Sequence, residues 1–429
     1  MLTQTTKASV NHLAHGRPLT LTVRNFIFHV TPLLAFIAGG CSTAGVEKAP
    51  AQLGTALEIV NGEWVNPDSS NNQTAKLDVV RTIEQCPPST DACATPVQNR
   101  PIAPALGPQK YGIVLLNFDG SPTPAWTKPA VSLKILGEVG AFIYRSSYAQ
   151  ARLSGKVFDW QQIRLHDDAY CSDIEAEIAK IDAAAQGELL GFKRRIYLFP
   201  SASRCTWKGK SSVNGERSLT MLNGWPDELT IAHQIGHTLG LRHSHGLACG
   251  SESYGHDCTR VEHADPFDAM GARTQGQFNA FQKDLLGWLP PSAVQTVTAS
   301  GRYTIAAYEF LASRPNVLKI PVRNHTNGSK DFLYIESRQA SGDEPTVALE
   351  SEDSNLFAGV LVHLGSESDP NSSALINMTP AHRGPDTANF IRAALVANKS
   401  FTYPLDDTHS VTITTESVST TEATVTVQF

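Results

Sequence analysis

At 429 residues the chain is too long for a peptide or a single small module, and it has room for about three structural units. Hydrophobic residues make up 41% and charged residues 18%, below the roughly 25% charge of an average soluble protein, which excludes a disordered solvating chain and a coiled coil. The net charge is -6, with 35 Lys+Arg against 41 Asp+Glu, and there is no basic run to neutralise a phosphate backbone, so nucleic acid is not an expected partner.

The long apolar stretch Phe26 to Gly40 follows Lys7, Arg17 and Arg24 and closes in Ala38-Gly39-Gly40-Cys41-Ser42, the order of a secretory signal. His29, Thr31 and Pro32 interrupt it, and it falls short of the roughly 20 apolar residues that span a bilayer. Small residues before a cysteine resemble a bacterial lipobox, which makes Cys41 the lipidated first residue of the mature chain. Residues 1–41 are therefore read as a signal sequence with a lipobox. The expected location is outside the cytoplasm, anchored through Cys41 to a bacterial envelope membrane, or secreted if the signal is cleaved without lipidation. Apart from Cys41, six cysteines remain, Cys86, Cys93, Cys171, Cys205, Cys249 and Cys258, an even number that in an exported chain suggests disulfides. Proximity alone pairs Cys86 with Cys93, Cys249 with Cys258 and Cys171 with Cys205.

Ser42 to Thr55 is small and polar, as a tether is, and Leu57 to Val65 reads as two short strands about a turn at Asn61-Gly62. Residues 42–108 are read as a tether and a small β-type pre-domain or propeptide, ended by the proline-rich Pro101 to Pro108. Beyond it Tyr111 to Phe118 has the continuous apolar character of a buried strand. A helix is expected over Val131 to Arg145, a strand over Gly155 to Trp160, a helix over Ser172 to Ala185 and a strand over Arg195 to Phe199. Helices over Leu229 to Leu239, stopped by Gly240, and over Gln277 to Trp288, stopped by Pro290-Pro291, complete a layered α/β unit at 109–290. Residues 291–429 change to short β-branched runs at Tyr303 to Tyr308, Val317 to Pro321, Phe332 to Ser337, Gly359 to Leu364, Ser410 to Thr414 and Ala423 to Phe429. These predict a β-sandwich, and the fold class is α+β followed by an all-β domain.

Six of the 14 histidines fall between His233 and His263. In His233-Gln234-Ile-Gly-His237-Thr-Leu-Gly240-Leu-Arg-His243 the i, i+4 spacing puts His233 and His237 on one helix face. Gly240 lets the backbone leave the helix and swing His243 toward the same ion. Three imidazoles leave a tetrahedral cation one open position, the mark of a catalytic rather than a closed structural site.

This segment resembles the metzincin pattern HExxHxxGxxH at every defined position except Gln234, which stands where the pattern has Glu. Asp265-Pro-Phe-Asp-Ala-Met270-Gly271 resembles the Met-turn of those enzymes, and only four methionines occur in the chain. Phe278 to Leu289, Val157 to Trp160, Phe332 to Arg338 and Gly359 to Leu364 extend the likeness to gametolysin-like metallopeptidases over about residues 110 to 429. The resemblance implies an exported zinc endopeptidase acting on extracellular proteins or glycoproteins, with peptide bound in extended form. It implies Zn2+ held by His233, His237 and His243, with Met270 as the Met-turn residue. It does not carry over the general base, because Gln234 cannot take the proton that Glu takes from the attacking water, so impaired activity is expected.

The remaining residues have plainer readings. His245, His256 and His263 are expected as solvated or hydrogen-bonded loop residues, and Asp265 and Asp268 as backbone caps more than as carboxylates that orient a ligand imidazole. Cys86 or Cys93 on the open zinc position would be a latency device, less expected than their local pairing. Asn324, Asn327, Asn371 and Asn377 stand in glycosylation sequons, which a lipobox would make incidental. The alternative function is a catalytically inactive, zinc-containing surface lipoprotein that binds protein or glycan. A closed zinc clamp in a surface scaffold would need a fourth protein ligand, such as His245 or Cys249.

Overall fold

Tyr111 to Phe118 is largely apolar on both faces because it becomes an inner strand in the parallel part of a mixed sheet covered by helices on each side. The structure is a computed structural model and describes residues 64–65, 104–213, 217–271, 276–340, 354–380 and 390–429. The expected signal, Cys41 and the Cys86 and Cys93 pair lie outside those residues.

Seven strands make the first sheet: β1 (Trp64–Val65), β2 (Gly107–Phe118), β3 (Ala151–Val157), β4 (Gln161–Ile163), β5 (Arg194–Phe199), β6 (Gly209–Ser212) and β7 (Ser218–Asn223). Their order is β1-β6-β7-β5-β2-β3, with β4 also on β2. Strands β3, β4 and β5 run parallel to β2, and β7 runs parallel to β5. Strand β6 is antiparallel to β7, and β1 adds antiparallel to β6 with Trp64 opposite Ser212 and Val65 opposite Ser211.

Helix α1 (Lys128–Ser132) is capped by Thr127 and runs through a π-helical stretch, Leu133–Val139, into α2 (Gly140–Ser146). The other helices are α3 (Cys171–Ala183), α4 (Glu228–Leu239) and α5 (Ala280–Leu285). One sheet face, with Ile113, Leu115, Ile196 and Leu198, packs on Ile143 of α2 and Ile231, Ile235 and Leu239 of α4. The opposite face, with Val114, Leu116, Tyr197 and Phe199, packs on Ile174 and Ile178 of α3.

Twelve further strands follow: β8 (His245–Ala248), β9 (Thr259–Val261), β10 (Val294–Thr296), β11 (Gly301–Ala306), β12 (Val317–Asn324), β13 (Lys330–Glu336), β14 (Gly359–Ser366), β15 (Asp369–Ile376), β16 (Leu395–Val396), β17 (Lys399–Pro404), β18 (Ser410–Val418) and β19 (Glu422–Gln428). One sheet has the order β10-β12-β13-β14-β15-β8-β9 with β16 on β14, and the other is β11-β19-β18-β17. Leu318, Leu333 and Val362 of the first share a core with Ile305, Ile413 and Val425 of the second. The fold is thus an α+β unit followed by a β-sandwich. Strands β8 and β9 precede residue 290 but join the sandwich sheet, β8 pairing parallel to β15 with His245 opposite Ala374.

Three elements differ from the sequence expectation. The strand expected over Gly155 to Trp160 lies earlier, as β3, because it is set by pairing with β2 rather than by its own apolar residues. The helix expected over Gln277 to Trp288 contracts to α5, since the Asn279 side chain accepts from the Gln282 N–H at 3.0 Å and starts the helix there. Strand β6, Gly-Lys-Ser-Ser, carries no apolar residue to announce it and exists through its ladder with β7.

Cys171 is bonded to Cys205 and Cys249 to Cys258, as proximity suggested. The first closes 34 residues and the second only 9. Chain entropy then predicts that replacing Cys171 and Cys205 with alanine lowers unfolding free energy by about 3–4 kcal/mol, and the Cys249 and Cys258 pair by about 2–3 kcal/mol. Urea titrations of the two double variants check the order; equal losses would show that loop length does not govern it. No helix among the described residues is long and apolar enough to cross a membrane.

Candidate metal centre

The site is built on α4. Asp227 caps it, accepting from the N–H groups of Leu229 at 3.0 Å and Thr230 at 2.8 Å. Gly240 ends it at φ 110°, where a residue without Cβ is needed. Between those ends Ile231, Ile235 and Leu239 face the core, and His233 and His237 stand a turn apart on another face with ring centroids 4.6 Å from each other. Each ring is oriented through Nδ1. His233 Nδ1 lies 2.9 Å from the Ala269 carbonyl and His237 Nδ1 2.9 Å from the Leu241 carbonyl. A carbonyl only accepts, so Nδ1 carries the proton in each ring and Nε2 keeps its lone pair for a cation.

The chain beyond Gly240 brings in His243, whose Nε2 is 3.2 Å from His237 Nε2. Its Nδ1 is hydrogen-bonded to the Glu262 carboxylate, whose other oxygen sits 3.1 Å from His245 Nδ1. Burial works against ionisation of Glu262, but His245 and His243 outweigh it and hold the carboxyl well below its ordinary range. His245 is fixed from its far side by Asn371 Oδ1 at 3.1 Å. Next to Glu262, His263 turns into the cluster, its ring centroid 3.7 Å from that of His243. Among the described residues, His233, His243 and His263 form the trio whose ligand atoms all lie within 4.8 Å of one another.

Met270 lies beneath the helix. A Cβ on Gly236 would come within 2.3 Å of Met270 Sδ, so the missing side chain in the helix is the space the thioether fills. The Met270 carbonyl accepts from the Ser244 N–H at 3.0 Å, and Ala269 before it orients His233. Gln234 is fully buried, with Gly209 of β6 against it: a Cβ there would sit 2.7 Å from Gln234 Cγ. Neither amide atom of Gln234 has a hydrogen-bond partner, and the same is true of His233 Nε2 and His263 Nε2. Buried polar atoms left this way cost about 1–3 kcal/mol each, and the two ring nitrogens, His233 Nε2 and His263 Nε2, belong to a trio close enough to share a cation. The donor set is nitrogen only, which suits zinc or a similar transition metal rather than Mg2+ or Ca2+.

The aspartates serve the scaffold. Asp265 accepts from Ser244 Oγ at 2.7 Å, His363 Nε2 at 2.9 Å and the Phe267 N–H at 3.0 Å, while Asp268 accepts from the Met270 and Asn279 N–H groups at 2.5 Å. The carboxylate that orients a cluster imidazole is Glu262, which sequence reasoning missed; its only signal was a position next to the last histidine of the run. His256 is exposed, and His245 is hydrogen-bonded as expected, but it is buried and is the first residue of β8 rather than a loop residue. His263 corrects the loop expectation, because it is 6% exposed and part of the cluster.

Burial, then the neighbouring His243, pushes His233 down to about 3, and burial likewise holds His237 and His263 well below the ordinary histidine range. The unfolded chain binds these protons near pH 6.5 and the fold does not, so stability falls as pH drops from there. Metal-free protein should lose about 1.4 kcal/mol per pH unit for each such histidine below pH 6. Urea midpoints at pH 7, 5.5 and 4 test this, with His233→Asn expected to flatten the slope by about one proton; an unchanged slope would contradict it.

The family model described as gametolysin peptidase M11 matches residues 124–348. No curated protein matches the chain. Among solved structures, one titled "Structure of a chaperone-substrate complex" is 13% identical over 38% of this chain, with a TM-score of 0.21; the chain spans 27% of that structure's length.

Proposed function

The chain belongs to the gametolysin peptidase M11 family, a family of metallopeptidases, and on that premise we propose that it is an exported zinc endopeptidase of metzincin type, weakened by Gln234. The observation that carries this reading is the buried histidine cluster built on α4, with His233 and His237 a turn apart, His243 Nε2 3.2 Å from His237 Nε2, and Gln234 buried next to His233 in the same helix. His233, His237 and His243 would hold the ion, and the turn at Met270 is read as the Met-turn. Zinc bound there would supply a Lewis acid that polarises a scissile carbonyl.

The rest is the work of this chain. Ala269, Leu241 and Glu262 hold the imidazole rings in the right tautomer and direction. Gln234 offers an amide that can orient a water molecule by hydrogen bonds but cannot accept its proton, so the base is absent from an otherwise complete arrangement. Strand β6 is the edge beside Gln234, and β1 already pairs with it antiparallel. That pairing supports binding of an extended peptide by strand addition, and supports reading the segment that carries β1 as part of a propeptide. Two disulfides support export, since such bonds are rare in reducing compartments. The lipid anchor at Cys41 rests on the N-terminal sequence.

The test is cleavage of casein or gelatin by the purified, metal-loaded Gln234→Glu variant beside the unmodified protein. Cleavage that appears in the variant and vanishes with chelator supports the reading. A folded, metal-loaded variant that cleaves neither substrate, with His263 present or replaced, would sink it.

A further inference from the structure

We propose that His263 is a fourth ligand to the metal, closing the coordination shell in the resting protein. The inference rests on the reading above only in that the cluster binds a transition metal. His263 is 6% exposed, and its Nε2 is buried without a hydrogen-bond partner. A core histidine normally has both nitrogens satisfied. Here the unsatisfied nitrogen belongs to a ring 3.7 Å from His243 and 6.1 Å from His233, and its ligand atom is within 4.8 Å of theirs. Lone pairs of neutral imidazoles brought this close gain nothing from each other; a shared cation turns them into donors.

The backbone gives a second, independent sign. His263 sits at φ 57°, in the left-handed region that costs a residue with a Cβ free energy. The strain is held by the β8–β9 hairpin, which the Cys249–Cys258 bond closes, and by the Val261 carbonyl, which accepts from the Ala264 N–H at 3.2 Å. Because β8 also pairs with β15, the sandwich sheet fixes where this turn points. Glu262 on the same turn bonds His243, so one turn supplies both an orienting carboxylate and an additional imidazole.

His237 Nε2, 3.2 Å from His243 Nε2, stands outside the trio whose ligand atoms all lie within 4.8 Å, so it must draw in for four nitrogen donors to complete the tetrahedral shell of a closed zinc site; three donors leave the open position of a catalytic one. The resting centre is then latent, and peptide gains access only when His263 withdraws. This makes His263 a regulatory ligand and assigns the turn at 262–263 as the element that must move.

The experiment is Co2+ substitution of the metal-free protein followed by azide titration, read from the visible d–d absorption, with Zn2+ affinity measured by chelator competition. With His263 bound, azide leaves the cobalt spectrum of the unmodified protein unchanged. His263→Asn removes the imidazole while asparagine tolerates the left-handed backbone, so the variant should fold. It should respond to azide and bind Zn2+ at least about 10–100-fold more weakly. An azide response in the unmodified protein, or unaltered Zn2+ affinity in folded His263→Asn, would overturn the proposal while leaving the metal centre intact. Failure of the unmodified protein to bind either metal would overturn the metal reading itself. If the variant does not fold, the azide titration of the unmodified protein still decides.

Discussion

Replacing Gln234 with glutamate should raise casein hydrolysis by the metal-loaded protein about 10²- to 10⁴-fold, the usual contribution of a positioned acid-base group. The exchange is isosteric, so the side chain keeps its place against Gly209 and no new volume enters a fully buried position. Its electrostatics change sharply. A carboxylate at 234 without a cation is a buried unpaired charge, so chelation should destabilise Gln234→Glu more than it does the unmodified protein. Where His263 closes the shell, the full rate gain requires His263 to be displaced. The Gln234→Glu/His263→Asn double variant should then exceed Gln234→Glu alone. Equal rates for the two would place His263 outside the coordination shell under turnover.

The second large effect concerns the join between the two parts of the molecule. Arg338 and Glu336, both fully buried, are paired at 2.8 Å, and the Tyr308 ring lies 4.2 Å from the guanidinium. Glu336 also accepts from the Ala280 N–H at 2.8 Å, and Arg338 donates to the Gln277 carbonyl at 3.3 Å, which ties β13 to the segment that starts α5. Arg338→Met should cost about 3–5 kcal/mol of unfolding free energy, because the carboxylate is left buried without its counter-charge. Removing both charges in Arg338→Met/Glu336→Leu should recover much of that loss, since an apolar pair has no desolvation penalty. Urea denaturation of the three proteins measures both effects. A double variant no more stable than Arg338→Met would mean that packing and the two backbone hydrogen bonds, rather than the charge pair, carry the stability.

The helix carrying His233 and His237, its stop at Gly240 and the approach of His243 were legible in the sequence because they are local. An i, i+4 spacing fixes a face, and a glycine fixes an exit. The same holds for the buried strand β2 and for the β-rich character after residue 291, where side-chain pattern and burial agree. Disulfide pairing followed from proximity for Cys171–Cys205 and Cys249–Cys258. Strand β6 was not legible, because Gly-Lys-Ser-Ser is held by pairing with β7 and not by any apolar face of its own.

The sequence by itself determined three histidines on one short segment, with Gln234 next to the first of them. The tertiary structure decided how many imidazoles meet there. Glu262 and His263 lie 19 and 20 residues beyond His243, across a hairpin whose position depends on β15, more than 100 residues farther along the chain. No local periodicity encodes such an approach, because strand pairing between distant segments sets it, and only then do His263 Nε2 and the Glu262 carboxylate meet the other rings.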